Sequence, residues 1–279
     1  MDIDNLKTFL EVYKTRHFGR AADNLYLTSA AVSARIKQLE SYLGVTLFIR
    51  SRGNVQLTSE GEKLLPHAET LIAQWTRTLQ EISLPADQSS RLYIGSTSGL
   101  WNFTLQEKLI HIAREIPEVT LQAEAHADQE LVKRLQERTL DLAVLYEPPA
   151  IPELNSVKVG QLKLVMASTE KGITPQRALS QGYIYVDWGE PFAVFHANRF
   201  GEAPPASVTV NLASIAVNYL GSIEGSAYLP SSYISEIPYL FAVKGVPTFN
   251  RPIYACYRAG HERQALIKQT LKLIEGISI

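Results

Sequence analysis

The stretch LYLTSAAVSARIKQLESYLG, residues 25–44, specifies the structure of the amino-terminal part of the chain. Its apolar residues recur every three or four positions, which is the period of a buried helix face; they are Val32, Ile36, Leu39 and Leu43. Thr28 or Ser29 provides an N-cap, and Gly44 suits the left-handed position after a helix end. The stretch therefore predicts one helix with a single buried stripe.

Two shorter helices are predicted before this one, separated by a break at TRHFG, residues 15–19. Apolar residues at helical spacing mark both of them; they are Leu6, Phe9, Leu10 and Tyr13 in the first and Phe18, Ala21, Ala22 and Leu25 in the second. Ala21 and Ala22 are expected to meet Ala30 and Ala31 where the second and third helices cross, because small side chains permit close approach. Three helices sharing one core indicate a helix-turn-helix.

The polar face of the third helix suits the major groove of DNA. Hydroxyl groups near its start can reach base edges or phosphates, and cations further along can reach guanine or the backbone. The candidate DNA-contacting residues of this helix are Thr28, Ser29, Ala30, Ser33, Arg35 and Lys37. The solvated face of a generic helical bundle would show the same periodicity, so periodicity alone leaves both interpretations open.

The next segment, VTLFIRSRGNVQLT, alternates like a strand, turns at Gly53–Asn54 and returns as a second strand. Arg50 and Arg52 beside the tip are candidates for contacts with phosphates or an adjacent minor groove, and the alternative is a hairpin kept soluble by its charge. Residues 1–58 hold eight Lys and Arg against five Asp and Glu, whereas the remainder is acidic and the whole chain has a charge of −1. A winged helix that meets a polyanion is predicted for residues 1–58.

The succession from Phe9 to Leu65 resembles the amino-terminal domain of LysR-type transcriptional regulators, through the marks AA..L.LT..AVS..I..LE..LGV.LF.R and LT..G. The resemblance implies double-stranded DNA as a partner. The chain departs from the family where Ser29 replaces the usual Gln after the Thr of LT, so the family's operator preference does not carry over in detail. The stretches TRHFGRAA and GEKLLPHAETL are similar to a branch of the family that controls flagellar genes, which implies a motility target.

A long linker helix is predicted over residues 59–87, with Ser59 and Glu62 in capping-box spacing and Pro66 as a source of bending. Its apolar stripe is typical of a dimerisation seam, although such a stripe can also pack on the chain's own body; the residues are Leu64, Ala68, Leu71, Trp75, Leu79 and Ile82. The resemblance implies that this helix pairs two subunits, which gives a homodimer or homotetramer on an interrupted palindromic promoter site. RNA polymerase is a further candidate partner.

After a polar segment, PADQSS, strands and helices alternate over residues 91–279, which predicts an α/β domain with a parallel sheet. Two lobes of periplasmic-binding-protein type are expected, the first at about 91–161 plus 256–279 and the second at about 162–255. The resemblance, looser here, implies that the terminal helix returns to the first lobe. The fold class is thus multidomain: a winged helix-turn-helix, a long linker helix and a two-lobed α/β domain.

Open α/β sheets bind ligands beyond the carboxyl ends of their strands, and the resemblance implies a small effector in the cleft between the lobes. The candidate effector-binding residues are Ser96, Thr97, Ser98, Tyr146, Glu147 and Trp188. The alternatives are that the Ser-Thr-Ser run only caps a helix and that the two aromatic residues belong to the core.

Catalytic and metal-binding motifs are missing from the sequence. GSTSG has Thr97 where a hydrolase elbow needs Ser, and no Walker loop, H-E-x-x-H or G-x-G-x-x-G occurs. The six histidines are scattered, and the single cysteine, Cys256, is expected to be a small buried hydrophobe. We therefore predict no enzyme activity, catalytic residue, metal or cofactor. The alternative is a cytoplasmic two-lobed small-molecule-binding protein or an enzyme without a transcriptional role.

The chain shows no secretion signal and no apolar run of the roughly 20 residues that a membrane helix needs. A cytoplasmic protein without a membrane partner is expected.

Overall fold

The computed structural model describes residues 2–51, 54–83, 90–201 and 204–278. The chain divides into two compact units, residues 1–87 with 137–139 and residues 88–136 with 140–279. Within the described ranges, no helix combines the length and apolar character needed to cross a membrane. The predicted PADQSS linker lies almost entirely outside the described residues.

The first unit is a winged helix followed by a long helix. Its elements are α1 (Ile3–Thr15), α2 (Phe18–Asn24), α3 (Ser29–Leu43), β1 (Phe48–Ser51), β2 (Asn54–Leu57) and α4 (Ser59–Ile82). Thr28, not Ser29, is the N-cap of α3, because its Oγ1 accepts a hydrogen bond from the Ala31 amide at 3.1 Å. Gly44 follows the helix with φ +71°, as predicted. Thr58 rather than Ser59 fills the corresponding role for α4, since its Oγ1 accepts from the Gly61 amide at 3.0 Å.

One apolar core holds the three helices, the hairpin and the start of α4 together. Its fully buried side chains include Leu6, Phe9, Val12, Ala21, Val32, Ile36, Leu39, Leu47 and Ala68. Phe48 of β1 closes this core against Phe9, with ring centroids 5.3 Å apart. Two expectations were wrong at the ends of α3. Leu43 is 37% exposed and Ala30 is exposed, because the core reaches α3 only between Val32 and Leu39.

The second unit begins with three parallel strands and their helices. They are β3 (Ser90–Ser96), α5 (Ser98–Leu100), a π-helical turn (Trp101–Leu105), α6 (Gln106–Glu115), β4 (Val119–Ala125), α7 (Asp128–Gln136) and β5 (Leu142–Leu145). The chain then crosses on the long strand β6 (Leu154–Ser168). Cys256 is fully buried, as predicted, and burial raises the pKa of its thiol.

The remaining elements build the second half of the sheet and return to the first. They are α8 (Pro175–Ser180), β7 (Tyr183–Val186), α9 (Glu190–Phe200), β8 (Val208–Val210), α10 (Ala213–Leu220), β9 (Ser226–Pro230), α11 (Ser232–Glu236), β10 (Phe241–Ala242), β11 (Phe249–Arg258), α12 (Gln264–Ile274) and β12 (Ile277–Ser278). The main strand order is β4-β3-β5-β11-β6-β9-β7-β8. α12 packs on α6, and the Lys108 ammonium donates to the Glu275 carbonyl at 2.8 Å, so the terminal helix does return to the first lobe.

The prediction of a parallel sheet holds within each lobe but not at the centre of the sheet. β11 is antiparallel to β5 and β6, and β6 is antiparallel to β9. The chain leaves the first lobe along β6 and returns to it along β11. Because these neighbouring strands run in opposite directions, they pair as antiparallel strands. These two strands therefore join the lobes, and each lobe keeps its own parallel strands.

A buried polar network fastens the segment before α12 to the first lobe. Asp141 is fully buried, and its Oδ2 accepts from the Tyr93 amide at 3.0 Å. Its Oδ1 lies 2.9 Å from His261 Nε2 and 3.3 Å from an Arg263 guanidinium nitrogen. Because His261 Nδ1 accepts from the Arg263 amide, the imidazole proton lies on Nε2 and is donated to Asp141. The carboxylate thus joins three separate segments of the chain.

Candidate functional site

The start of α3 is exposed to solvent. Ser29, Ala30 and Lys37 are exposed, and Ser33 is half-buried on the same side of the helix. The first turn of a helix also presents amide N–H groups that lack partners within the helix. Short side chains at this end leave room for a phosphate or a base edge to approach.

Arg35 does not point outward as expected. Its guanidinium turns towards α1, 3.5 Å from a carboxylate oxygen of Asp4 and 3.5 Å from the Thr8 hydroxyl. The side chain is 32% exposed, so it bridges two helices at the margin of the core. Its expected role in DNA contact stays a prediction, and the structure adds a packing role.

Tyr26 was missed by the sequence analysis. It lies in the turn between α2 and α3, is 97% exposed and has a φ of +54°. The turn is held by hydrogen bonds from the Tyr26 amide to the Asp23 carbonyl and from the Leu27 amide to the Ala22 carbonyl. This exposed aromatic side chain lies two residues before the Thr28 cap and so close in sequence to the start of α3. Its position in a left-handed turn gives no signal in the helical periodicity.

The predicted wing is formed by β1 and β2, which pair from Phe48 opposite Leu57 to Ser51 opposite Asn54. Arg50 lies in β1 opposite Val55. The orientation of the Arg50 side chain, Arg52 and the predicted turn at Gly53 lie outside the described residues, so their DNA contacts stay predictions.

The predicted stripe on α4 divides into two parts. Ala68 is fully buried in the core of its own unit and Leu64 packs against that core, so neither presents a free face. Beyond them four large apolar side chains on one face are exposed: Leu71 by 44%, Trp75 by 41%, Leu79 by 49% and Ile82 by 77%. An exposed apolar row on a helix is a candidate surface for contact with another protein.

A cleft of about 380 Å³ opens at the carboxyl ends of the strands in the α/β unit. Its lining contains four of the predicted effector-binding residues, Thr97, Ser98, Tyr146 and Trp188. Ser96 is not among them, because it is fully buried and its hydroxyl donates to the Val144 carbonyl at 2.7 Å. Glu147 is tied to the cleft through Arg251, whose Nη2 lies 3.1 Å from its carboxylate.

The cleft also contains residues that the sequence analysis missed, namely His126, Asp128, Asp187, Gly189, Asn211 and Arg251. Arg251 lies in β11 and is only 8% exposed. Its guanidinium carbon lies 4.1 Å from the centroid of the Tyr146 ring. Burial raises the pKa of Asp128, an effect that the nearby Arg251 opposes and Glu147 reinforces. The one sequence signal for Arg251 was a cation near the start of a mostly apolar strand.

Thr97 also caps a helix, as the alternative interpretation of the Ser-Thr-Ser run predicts, since its Oγ1 accepts from the Leu100 amide at 3.5 Å. Trp188 is 5% exposed, and its indole N–H donates to the Tyr228 carbonyl at 3.0 Å. These two residues therefore shape the cleft wall as well as line it. Among the described residues, no group of three or more His, Cys, Asp or Glu is arranged to hold a metal ion.

Two family models match the chain. The model of the bacterial regulatory helix-turn-helix protein, LysR family, matches residues 3–62, and that of the LysR substrate binding domain matches residues 85–276. The HTH-type transcriptional regulator HdfR of Yersinia enterocolitica is 38% identical over 281 residues, which covers 98% of this chain and 96% of that protein. HdfR of Yersinia pestis strain Pestoides F is 39% identical over 284 residues with the same coverage.

Solved structures share the fold along nearly the whole chain. The crystal structure of CbnR, a LysR family transcriptional regulator, has a TM-score of 0.75 at 19% identity and covers 98% of both chains. Full-length CbnR complexed with its target DNA also gives a TM-score of 0.75 at 19% identity, over 98% of this chain and 99% of that one. At this identity the likeness concerns the fold.

Proposed function

The chain belongs to the LysR family of bacterial regulatory helix-turn-helix proteins, and from this membership we propose how it acts as a DNA-binding transcriptional regulator. The start of α3 enters the major groove and the β1–β2 hairpin lies against the adjacent backbone or minor groove. The observation that supports this proposal is the exposed first turn of α3, where the exposed Ser29 and Ala30 follow the exposed Tyr26 by three and four residues. We assign residues 1–58 to the DNA-binding domain, 59–87 to the linker helix and 91–279 to the two-lobed regulatory domain.

The DNA contact is tested by Lys37→Ala. Lys37 is exposed on α3, and we expect it to contact a phosphate, so its loss should weaken binding about three- to tenfold at every sequence tested and make the salt dependence shallower by about one counterion. The measurement is fluorescence anisotropy over a series of salt concentrations, with an operator fragment recovered by genome-wide capture of bound DNA.

Lys268→Ala is the matched control, because Lys268 is exposed on α12 in the other unit. It should bind DNA like the wild type. Equal affinity and equal salt slope for the Lys37 variant would exclude the exposed face of α3 around Lys37 from the interface. Arg35→Ala is a poorer probe, since it also removes the contacts with Asp4 and Thr8.

We further propose that the chain works as a homodimer or homotetramer through the exposed row on α4, defined by Leu71, Trp75, Leu79 and Ile82. One DNA-binding domain makes few phosphate contacts and binds weakly at physiological salt. Two linked DNA-binding domains bind an interrupted palindrome with far higher affinity. Contact with RNA polymerase at the promoter and a cytoplasmic location belong to the same proposal.

Motility genes are the proposed target. The chain is 38–39% identical over nearly its full length to regulators named HdfR, and the branch of the family that it resembles in sequence is the one that controls flagellar genes. Capture of bound DNA should recover a promoter of flagellar genes. Recovery only of promoters unrelated to motility would reject this target while leaving DNA-binding regulation in place.

The cleft of the α/β unit is the proposed effector site. A bound effector would change the arrangement of the two lobes and thereby the spacing between the DNA-binding domains of the assembled subunits. A ligand can do this only if it binds one arrangement better than the other. We propose no catalytic role. The alternative, a two-lobed binding protein or enzyme without a transcriptional role, would show ligand binding or turnover with no preference for operator DNA over random duplex.

A further inference from the structure

Arg251 connects the two lobes across the cleft. Its Nη1 donates to the Trp188 carbonyl, which follows β7 in the second lobe, and its Nη2 donates to the Glu147 carboxylate, which follows β5 in the first lobe. Gly189, with φ +88°, lies against the same guanidinium, and a Cβ added there would be 3.0 Å from Nη2. The guanidinium is thus held between the Tyr146 ring and the backbone at Gly189.

Two hydrogen-bonding atoms at this point have no partner among the described residues. They are the Tyr146 hydroxyl and Arg251 Nε, and both are buried. Tyr146 and Arg251 are each 8% exposed as whole residues, and both line the cleft. Buried donors without acceptors are costly unless something else supplies the acceptor.

The present partner of Arg251 is easily replaced. The Glu147 side chain is 64% exposed, whereas that of Arg251 is 10% exposed. An ion pair with one solvated partner contributes little stability, because water competes for the exposed carboxylate. A ligand carboxylate held inside the cleft can therefore take the place of Glu147 beside the guanidinium.

Apart from Arg251, the formally charged residues of the cleft lining are acidic. Asp128 and Asp187 both line the cleft, and they outnumber the single formal cation of the lining, Arg251. One Asp187 oxygen accepts from the Gly189 amide at 2.9 Å, which fixes the carboxylate in place at the cleft wall. Two carboxylates and one guanidinium in the same lining disfavour a polyanion such as a phosphate ester and favour a ligand that carries a cation as well.

We propose that the cleft binds a small zwitterion of the amino acid type. Its carboxylate replaces Glu147 at Arg251 and accepts hydrogen bonds from Arg251 Nε and the Tyr146 hydroxyl, and its ammonium group pairs with Asp128 and Asp187. This assignment rests on the proposed role of the cleft as an effector site and names the class of effector. A cleft of about 380 Å³ lies near the lower end of small-molecule sites, which suits a ligand of this size.

The test uses the full-length protein and a panel of free amino acids, each with its N-acetyl form, which lacks the cation, and its amide, which lacks the anion. Thermal unfolding identifies binders, and calorimetry gives their Kd. At about one hundred times Kd, at least one free amino acid should raise the melting temperature by about 5 °C. Its two derivatives should bind at least about tenfold more weakly.

Three variants examine the assigned contacts. Tyr146→Phe removes a hydroxyl without a partner in the described chain, so it should weaken binding about tenfold while the melting temperature of the free protein stays equal or rises. Asp187→Asn keeps an acceptor for the Gly189 amide but removes the charge, and it should also weaken binding about tenfold. Glu147→Gln removes the internal competitor and should tighten binding.

Glu170→Gln is the control, because Glu170 pairs with Arg177 at the surface and does not line the cleft. It should bind the amino acid like the wild type. No shift with any free amino acid, or equal binding of the N-acetyl form, the amide or inorganic phosphate, would overturn the proposal. Operator binding is measured on the same samples: if it persists, only the ligand class is wrong, and if it is lost in the wild type, the proposed function fails as well.

Discussion

Replacement of Asp141 by alanine should lower the free energy of unfolding of the α/β unit by about 3–5 kcal/mol. The carboxylate is fully buried and joins the Tyr93 amide, His261 and Arg263. Its removal leaves an imidazole N–H and a guanidinium without this carboxylate, and it weakens the attachment of the segment before α12 to the first lobe. Urea unfolding followed by tryptophan fluorescence measures the change, since Trp101 and Trp188 lie in this unit.

His261→Ala separates the contributions within this network. It leaves Asp141 with the Tyr93 amide and Arg263, so the loss should be smaller than for Asp141→Ala. Glu153→Ala, at an exposed position just before β6, is the control and should change stability by less than about 0.5 kcal/mol. A loss below about 1 kcal/mol for Asp141→Ala would show that the network does not fasten the terminal segment.

A negative charge in the exposed row on α4 should separate the subunits and thereby abolish tight DNA binding. Trp75→Glu or Leu79→Glu should halve the mass in solution, because an ionised carboxylate at the centre of an apolar contact must lose its hydration without gaining a partner. The affinity for a two-site operator should fall about a hundredfold or more, because the second DNA-binding domain is no longer linked to the first. Light scattering and anisotropy measure the two effects.

Thr76→Glu introduces the same charge at an exposed position outside the row. It should leave the mass and the affinity close to those of the wild type. An unchanged mass for the Trp75 and Leu79 variants would mean that the row is not the contact between subunits. An unchanged melting temperature in all three variants would show that the substitutions act on assembly and not on folding.

The amino-terminal architecture was predictable because its signals are local. The Thr28 cap, the Gly44 stop and the spacing of Val32, Ile36 and Leu39 all lie within one helix, and each occupies the expected place. Arg35 shows where local reasoning fails. Its direction depends on how α1 crosses α3, which brings Asp4 next to a residue 31 positions away.

The cleft was predictable in position but not in chemistry. The ends of β3, β5 and β7 were found from the alternation of strands and helices, so four of its residues were identified. Arg251 was missed because its partner Glu147 is 104 positions away and the two meet only when β11 inserts beside β5. The same long-range pairing explains the wrong expectation of a parallel centre. The helix α9 was also missed, since its run of Phe and His residues lacks a clear polar face.

The close approach of Gly189 to Arg251 constrains how this protein can diverge. Any larger residue at position 189 must adopt a strained backbone and displace the guanidinium at the same time. Among descendants, Gly189 should therefore be replaced only in lineages in which Arg251 has already been replaced. A phylogeny of the family would show the order of the two replacements. A lineage that changed position 189 first would have lost the side-chain link that Arg251 makes across the cleft before acquiring a new ligand.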